Sequence, residues 1–349
     1  MTRHEFFEDL KRAITNVPNE LLDDILYDLN EHFDAGLEDG LTESEICIKL
    51  GQPGSIAEQI NEEFRKSSPD VRPNYKHQLV VENDSGNLSV DETFEGVNEI
   101  YVDMKVSDIC FERENRSDFR VVIIGRSKCD RYTIDNNNGR LEIVEHEPFL
   151  RFFPFSFTKN LETIVYVPSQ FTGAITARSA AGKIKAKDLT SPIKLSSSAG
   201  NISVERHLSD RADLHTSAGN IDADFFGKTA LSIDTSAGSI KLKANETSEL
   251  VMNSGAGSVK AEVEKLKGNS KLSSGAGSIR LKAYDIEGDI KLSSGAGSIK
   301  VYLPEDANIK LNLKKSSVGS VKSEISGNDT SPYTLRAHTG VGSVKIMRL

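Results

Sequence analysis

A short phrase centred on one glycine recurs nine times between Ser179 and Lys345, as in Ser198-Ala-Gly-Asn-Ile202. Successive copies are 18 to 23 residues apart. A period in this range is typical of stacked supersecondary units, each of which completes its core only by packing against its neighbours. The anchoring glycines are Gly182, Gly200, Gly219, Gly238, Gly257, Gly277, Gly297, Gly319 and Gly342.

Side-chain alternation around each glycine indicates the shape of one unit. A β-branched residue stands two positions after every glycine, and a Ser or Thr stands three positions before it. Apolar and polar residues also alternate further upstream, as around Ile193 and Leu195. Period-two alternation on both sides predicts two short strands that meet at a corner. We expect the Ala or Val just before each glycine to point inward, and the glycine to supply a positive φ angle at the corner.

Units of this kind predict a mainly β fold, a parallel β-solenoid with a glycine at the corner of every coil. Equivalent residues would lie about 4.8 Å apart along the stack, so that inward Ser and Thr hydroxyls hydrogen-bond from coil to coil. Antiparallel hairpins fit less well, because the units repeat head to tail and lack Asn-Gly or Asp-Gly pairs at the reversals.

The chain before the regular repeats divides by composition. Residues 79–160 echo the repeat phrase at Ser85-Gly-Asn-Leu-Ser-Val90 and Asn138-Gly-Arg-Leu-Glu-Ile143. They predict an irregular N-terminal cap for the regular β-solenoid repeats of residues 161–349. Residues 67–78 contain two prolines and two serines, which predicts a linker.

Residues 1–66 lose the alternation and gain helical signals. Thr2 and Glu5, like Thr42 and Glu45, have the spacing of capping boxes. The apolar residues that follow predict about four short helices around one small core. With 16 acidic and 6 basic residues, this module carries a net charge of −10, against −9 for the whole chain. The sequence therefore predicts a small acidic all-α domain in front of the solenoid.

Several motifs of this helical part resemble the bacterial HAAS helical signalling domain, over nearly all of residues 1–66. They are Glu5-Phe-Phe-Glu-Asp-Leu10, Asp28-Leu-Asn-Glu-His-Phe33, Gly36-Leu-Glu-Asp-Gly40 and Lys49-Leu-Gly-Gln-Pro53. Members of that family accompany PadR-like transcription regulators and are often joined to membrane segments or sensory parts. The resemblance therefore implies a protein partner, either a PadR-like regulator or a membrane signalling protein.

The repeats resemble a second family, the putative-adhesin β-strand-repeat proteins, from about residue 79 to residue 349. The resemblance rests on the nine Ser-Ala-Gly-Asn-Ile-like units. This family implies a β-strand repeat domain of unknown function. Neither resemblance supplies a catalytic residue or a cofactor.

Catalytic and metal-binding patterns are missing from the sequence. The seven histidines show no metal-ligand spacing such as His-Glu-x-x-His, and no Gly-x-Ser-x-Gly elbow occurs. The recurring Gly-x-Gly pairs lack the third glycine of a dinucleotide loop. We therefore predict no enzyme activity and no cofactor. His32 is the best single candidate for a pH-sensitive signalling residue, although a structural histidine is the favoured interpretation.

One outward position of the repeat carries a basic stripe. Three residues after each glycine, the last six units hold only Lys or Arg, whereas earlier units hold Ser203 and Asp222. The favoured interpretation is a charged wall that resists aggregation; the alternative is a binding site for an anionic surface, an anionic polymer or an acidic partner. No aromatic residues interleave with the stripe, so we predict no sequence-specific nucleic acid recognition. The stripe consists of Lys241, Lys260, Arg280, Lys300, Lys322 and Lys345.

An aromatic cluster precedes the regular repeats. Five phenylalanines and a leucine fall within nine residues, and Pro148 and Pro154 exclude a membrane helix. The cluster is either a plug that covers the end of the solenoid, or a seat for the helical module, or an exposed docking patch for a partner. The candidate patch consists of Phe149, Phe152, Phe153, Phe155 and Phe157.

Together these features predict a non-enzymatic interaction or signalling scaffold of a bacterium. The alternative is an exported adhesin-like protein that binds the cell surface or a wall polymer. A polysaccharide-cleaving solenoid is disfavoured, because no carboxylates cluster at one outward coil position. The sequence shows no signal-peptide pattern and no apolar run of about 20 residues, and Cys47, Cys110 and Cys129 are scattered. We therefore expect a cytoplasmic protein, with any membrane association made through a partner.

Overall fold

The computed structural model describes residues 1–15, 17, 19–66, 81–82, 88–125, 132–146, 162–314 and 318–349. These residues belong to a helical unit and a β unit, which are described separately. The helices of the first unit are α1 (Arg3–Ala13), α2 (Asn19–Glu38), α3 (Glu43–Leu50) and α4 (Pro53–Lys66).

Both predicted capping boxes are present in the helical unit. The Thr2 hydroxyl accepts the Glu5 backbone N–H at 3.3 Å, and the Glu5 carboxylate accepts the Thr2 N–H at 2.9 Å. Thr42 and Glu45 repeat this arrangement at the start of α3. The hydrogen bond from the threonine backbone is the main reason that the pKa of each carboxyl group is lowered. Gly51, with a φ of 97°, ends α3.

One apolar core lies among these helices, as predicted. Phe6 and Phe33 pack edge to face, with ring centroids 5.5 Å apart. Gly36 allows α2 to approach α3, since a Cβ at this position would lie 2.7 Å from the Ile46 side chain. The other core residues include Leu10, Ile25, Leu29, Ile56 and Ile60.

The β unit contains 24 strands in the described residues. The first eight are β1 (Val81–Glu82), β2 (Leu88–Phe94), β3 (Glu99–Met104), β4 (Asp108–Glu114), β5 (Phe119–Gly125), β6 (Tyr132–Asn137), β7 (Arg140–Glu145) and β8 (Glu162–Pro168). The next eight are β9 (Ala174–Ser179), β10 (Ile184–Lys187), β11 (Ile193–Ser197), β12 (Ile202–His207), β13 (Arg211–Thr216), β14 (Ile221–Thr235), β15 (Ile240–Ser254) and β16 (Val259–Lys267). The last eight are β17 (Ser270–Ser274), β18 (Ile279–Glu287), β19 (Ile290–Ala296), β20 (Ile299–Leu303), β21 (Lys310–Lys314), β22 (Val321–Ser323), β23 (Thr334–Val341) and β24 (Val344–Arg348).

Hydrogen bonds join the strands into two ladders. Ladder 1 runs β6, β7, β3, β9, β11, β13, the second halves of β14 and β15, β17, β19, β23 and β21. Ladder 2 runs β1, β2, β5, β8, β4, β10, β12, the first halves of β14 and β15, β16, β18, β20, β24 and β22. One strand of each ladder, joined at a corner, makes one coil. Every pairing of the described strands from β9 onward is parallel, so the fold is the predicted glycine-cornered parallel β-solenoid.

The core of the β unit lies between the two ladders and consists of columns of similar side chains. Ladder 2 contributes the β-branched residue two positions after each glycine, from Ile184 to Ile299, all of them buried. Ladder 1 contributes a column that includes Leu195, Leu214 and Ile233. Burying each of these side chains contributes about 2 kcal/mol before the entropy cost of folding. The repeated phrase therefore builds one continuous core.

At the corners from Gly182 to Gly297 the glycine is less exposed than the alanine before it. Gly200 and Gly219 are buried, whereas Ala199 and Ala218 are exposed. The expected inward column of alanines was therefore wrong. The two residues before the glycine both face outward. The alternation of inward and outward side chains therefore shifts by one residue at the corner.

Close approach of neighbouring backbones explains why these positions are glycines. Among the nine, only Gly319 and Gly342 have a positive φ, 149° and 138°. The predicted positive-φ corner was therefore wrong for the other seven. A Cβ on Gly238 would lie 1.8 Å from the carbonyl oxygen of Gly219 in the preceding coil. This distance excludes any side chain, whatever the backbone angles.

The Ser or Thr three positions before the glycine joins neighbouring corners. Thr235 Oγ1 donates to the carbonyl oxygen of Gly219 at 2.9 Å and accepts the N–H of Gly238 at 3.0 Å. The predicted coil-to-coil bonding of inward hydroxyls is confirmed, with the glycine backbone as the partner. The donation to the preceding corner recurs at Thr216, Ser254, Ser274, Ser294 and Thr339.

Both ends of the stack depart from sequence order. The β23–β24 coil lies between the β19–β20 coil and the β21–β22 coil, although it follows both in the chain. At the other end, the β3–β4 coil lies between β7 and β8 on one side and the β9–β10 coil on the other. The simple succession of units therefore holds only up to Gly297.

Antiparallel strands close the N-terminal end of the stack. β8, β5, β2 and β1 pair antiparallel in that order, as do β7 and β6. Glu145, at the end of β7, is fully buried, and its Oε2 accepts three corner N–H groups at 2.7 to 3.1 Å. The donors are Lys105, Val106 and Ser107. Sequence reasoning missed this buried carboxylate, which satisfies the first corner of the stack.

Candidate anion-binding surface

Six basic side chains form one column on the outer face of ladder 2. The strand register places one of them in each of six adjacent coils, and all six point away from the core. We call this set the cationic column. Lys345 and Lys322 stand in reverse sequence order, since β24 lies between β20 and β22. In space the column runs Lys241, Lys260, Arg280, Lys300, Lys345 and Lys322.

Five of these six side chains have no ion-pair partner in the described part of the chain. Lys241 Nζ lies 2.8 Å from Asp222 Oδ2. The other five make neither an ion pair nor a side-chain hydrogen bond with any described residue. Like charges about 5 Å apart in water repel by about 1 kcal/mol per pair before salt screening. The fold therefore holds a line of positive charge without neutralising it.

The next outward column on the same face behaves differently. Two residues further along each strand, this column holds Lys243, Glu262 and Lys282 in three successive coils, so that opposite charges are neighbours there. Lys282 Nζ lies 3.1 Å from Glu262 Oε1, and its hydrogen bond lowers the pKa of Glu262. Lys187 lies 3.8 Å from Glu112 in the same way. Basic side chains of this second column therefore form ion pairs with carboxylates of neighbouring coils. In the cationic column only Lys241 has such a partner among the described residues.

Sequence reasoning missed a column of hydroxyls beside the cationic column. These serines lie two positions before the basic residues and thus on the same face. The backbone N–H of Ser298 donates to Ser278 Oγ at 3.3 Å, and Ser320 Oγ donates to Ser343 Oγ at 3.3 Å. The available signal was the recurring Gly-Ser-Ile or Gly-Ser-Val triplet. The serine column consists of Ser239, Ser258, Ser278, Ser298, Ser343 and Ser320.

The outer face of ladder 1 carries fewer uncompensated cations. Lys271, Lys291 and Arg336 occupy successive coils there. Arg336 lies 3.7 Å from Asp289, and the coil before Lys271 holds Val251 at the same position. The long basic column is therefore a property of one face.

A cavity of about 290 Å³ opens between α2 and α3 in the helical unit. His32 lines it, and burial lowers the pKa of this histidine. Gly36, Ile46 and Leu50 supply apolar walls. Asp39, Leu41 and Lys49 complete the lining. His32, the predicted pH-sensitive candidate, thus lies at a concave surface.

A second histidine, which sequence reasoning did not single out, is buried in the solenoid. His207 is fully buried and packs edge to face against Phe225, with ring centroids 5.4 Å apart. Neither ring nitrogen makes a hydrogen bond with a residue that the structure describes. Burial lowers its pKa to about 4; the nearby Ser191 backbone raises it by less, without reaching hydrogen-bond geometry. This histidine is a neutral core residue.

The remaining sequence candidates add no chemistry to the described residues. The proposed patch of Phe149, Phe152, Phe153, Phe155 and Phe157 lies outside them. Cys47 and Cys110 are free, and burial raises the pKa of the Cys110 thiol to about 11. No group of His, Cys, Asp or Glu side chains within the described ranges is arranged to hold a metal ion. Among the described helices, none combines the length and the apolar character that crossing a bilayer requires.

Two family models match the chain. The Toastrack DUF4097 model matches residues 97–346, and the HAAS model matches residues 5–59. Both predicted resemblances are thereby confirmed. Comparison with curated proteins gives no match.

Several solved structures are similar to the chain. A "putative adhesin" from Bacteroides fragilis NCTC 9343 is 13% identical with a TM-score of 0.44, over 75% of this chain and 97% of that one. A "putative adhesin" from Parabacteroides distasonis ATCC 8503 is 16% identical with a TM-score of 0.45, over 75% and 97%. A "putative lipid binding protein" from the same strain is 11% identical with a TM-score of 0.40, over 76% and 98%. Likenesses of this size carry no information about ligands.

Proposed function

The chain belongs to the Toastrack DUF4097 family. We propose that it is a non-enzymatic interaction protein of bacterial signalling. Its helical unit docks a regulatory or membrane protein, and its solenoid presents a long binding surface. The match of the helical unit to the HAAS model is the observation that carries the docking role.

The surface of the helical unit supports this role. The cavity between α2 and α3 has apolar walls formed by Ile46 and Leu50. Two further apolar side chains, Leu37 and Ile48, are 42% and 80% exposed. The net charge of −10 over residues 1–66 favours a partner whose contact surface is basic. An apolar anchor with basic flanks is the partner chemistry that fits.

A pull-down with the full chain tests the docking role. We expect it to recover a PadR-like regulator or a membrane signalling protein from the native bacterium. The double variant Leu37→Glu/Ile48→Glu should lose that partner, because both changes add negative charge to exposed apolar contacts. Leu208→Glu, at a solenoid side chain that is 51% exposed, is the matched control and should retain it. Recovery of no such partner, or equal recovery by all variants, would contradict the proposal.

The second candidate function is an adhesin-like binder of a surface or wall polymer. The observation that favours it is that five of the six side chains of the cationic column have no ion-pair partner among the described residues. The two functions differ in location, since a wall binder must leave the cell. We propose a cytoplasmic location, with membrane association through the partner. Fractionation of native cells distinguishes the two functions. Recovery of this protein from the cell wall or the medium would support the second function and oppose the first.

A further inference from the structure

The cationic column is a single row of charge with one basic residue in each coil. Its five members from Lys260 to Lys322, none of which forms an ion pair with a described residue, span about 19 Å along the stack at one residue per coil. The serine column runs parallel to it, two residues away on each strand. Each of these coils therefore offers one cation and one hydroxyl on the same face, at a constant spacing.

We propose that the two columns together bind an extended phosphate polymer that lies along the solenoid axis. Each Lys or Arg would neutralise phosphate oxygens, and the serine hydroxyl of the same coil would donate a hydrogen bond to them. A polymer suits the geometry because its charges repeat along a line, as do the columns. The proposed function gives the solenoid a long binding surface. The present inference rests on that proposal and names the class of ligand that the surface binds.

The neighbouring charges disfavour a flat anionic membrane as the ligand. The column next to the cationic column contains Glu262, and the face also carries Asp222 and Asp224 in earlier coils. A broad anionic surface would meet these carboxylates as well as the lysines. A narrow chain would contact the cationic column alone.

Titration of the full chain with fluorescent inorganic polyphosphate at low salt is the test. We expect binding that weakens steeply as salt rises, because each neutralised phosphate releases counterions. The variant Lys260→Glu/Arg280→Glu/Lys300→Glu should bind at least roughly a hundredfold more weakly. The control Lys194→Glu/Lys271→Glu/Lys291→Glu reverses three exposed lysines on ladder 1 and changes the net charge equally. It should bind within about threefold of the wild type.

The outcomes separate column binding from general charge attraction. Equal losses of polyphosphate affinity in both triple variants would overturn the proposal. Wild-type protein that does not bind polyphosphate would also overturn it. Binding to phosphatidylglycerol vesicles without binding to polyphosphate would also overturn it. Should the triple Glu variant fail to fold, Lys260→Gln/Arg280→Gln/Lys300→Gln replaces it, and an unchanged salt dependence in that variant would contradict the proposal.

The spatial order of the column gives a sharper readout. Lys345 lies inside the column and Lys322 at its end, although Lys322 comes first in the chain. Lys345→Glu should therefore weaken polyphosphate binding more than Lys322→Glu. The reverse ranking would contradict a polymer bound along this column. None of these measurements depends on the partner of the helical unit, so failure here leaves the docking role standing.

Discussion

At the scale of single residues, the solenoid depends on how closely one backbone passes another at the corners. The carbonyl oxygen of one corner glycine occupies the place where a side chain of the next would lie, as for Gly219 and Gly238. The hydroxyl of Thr235 joins the same two residues. Glycine and hydroxyl therefore form one structural device, repeated from coil to coil.

Gly238→Ala tests the close approach directly. The new methyl group would overlap the Gly219 carbonyl oxygen, so the coils must separate locally. We expect the free energy of unfolding to fall by about 3 kcal/mol. Urea denaturation followed by circular dichroism measures the change. Ala237→Ser, one residue away and exposed, serves as the control, and a Gly238→Ala protein as stable as this control would refute the explanation.

The buried His207 makes stability depend on pH. Its pKa is about 4 in the folded protein and near 6.5 when unfolded, so the unfolded state binds more protons between these values. This contribution to stability is therefore present at pH 7 and is lost as pH falls. Between pH 7 and pH 5 we expect a loss of about 2 kcal/mol. Comparing urea unfolding of the wild type and His207→Leu at both pH values isolates the effect, because the variant should lack this part of the pH dependence.

At the scale of elements, interleaved coils secure the ends of the stack. β23 and β24 make ladder hydrogen bonds on both sides, whereas β21 and β22, within the described residues, make them on one side. In an ordinary solenoid the outermost coil would be the last in the chain and would fray first. Here the last strands are held between two coils, and the outermost coil is tied to the chain at both of its ends.

Removing residues 334–349 tests this arrangement. The β21–β22 coil remains in the shortened chain but loses the strands to which it bonds. We expect amide protons of residues 310–314 and 321–323 to lose their protection against hydrogen exchange, while residues 240–274 keep theirs. Mass spectrometry of both proteins after exchange measures this. Unchanged protection of the two short strands would show that they pair elsewhere.

The sequence predicts the elements better than their arrangement. Alternation around each glycine predicts strands, corners and an outward basic position, because burial of one face dictates the pattern. The same pattern is compatible with several orders of coils, since every coil offers its neighbours the same ladder. The exchange of Lys345 and Lys322 in the cationic column was therefore invisible to sequence reasoning. Buried partners from distant segments, such as Glu145, have no local signal either.

At the scale of the whole molecule, opposite charges lie in different parts of the chain. Residues 1–66 carry −10, whereas the cationic column lies in the last six coils of the solenoid. The acidic part and the basic part therefore attract different ligands. This division of charge supports the two proposed binding roles, in which the helices bind a basic partner and the solenoid binds a phosphate polymer.

The stack ends and the cationic column both depend on the order of the coils. Cysteine pairs introduced at the column test it most directly, with Cys47, Cys110 and Cys129 replaced by serine. Residues in adjacent coils lie about 5 Å apart and can form a disulfide, whereas residues two coils apart are about 10 Å apart and cannot.

Under mild oxidation, Lys300→Cys/Lys345→Cys and Lys345→Cys/Lys322→Cys should each form a disulfide. Lys300→Cys/Lys322→Cys should remain reduced. The fraction oxidised is measured by mass spectrometry of the proteolysed protein. A disulfide between positions 300 and 322, without one between 300 and 345, would mean that the coils stack in sequence order and would contradict the interleaved solenoid.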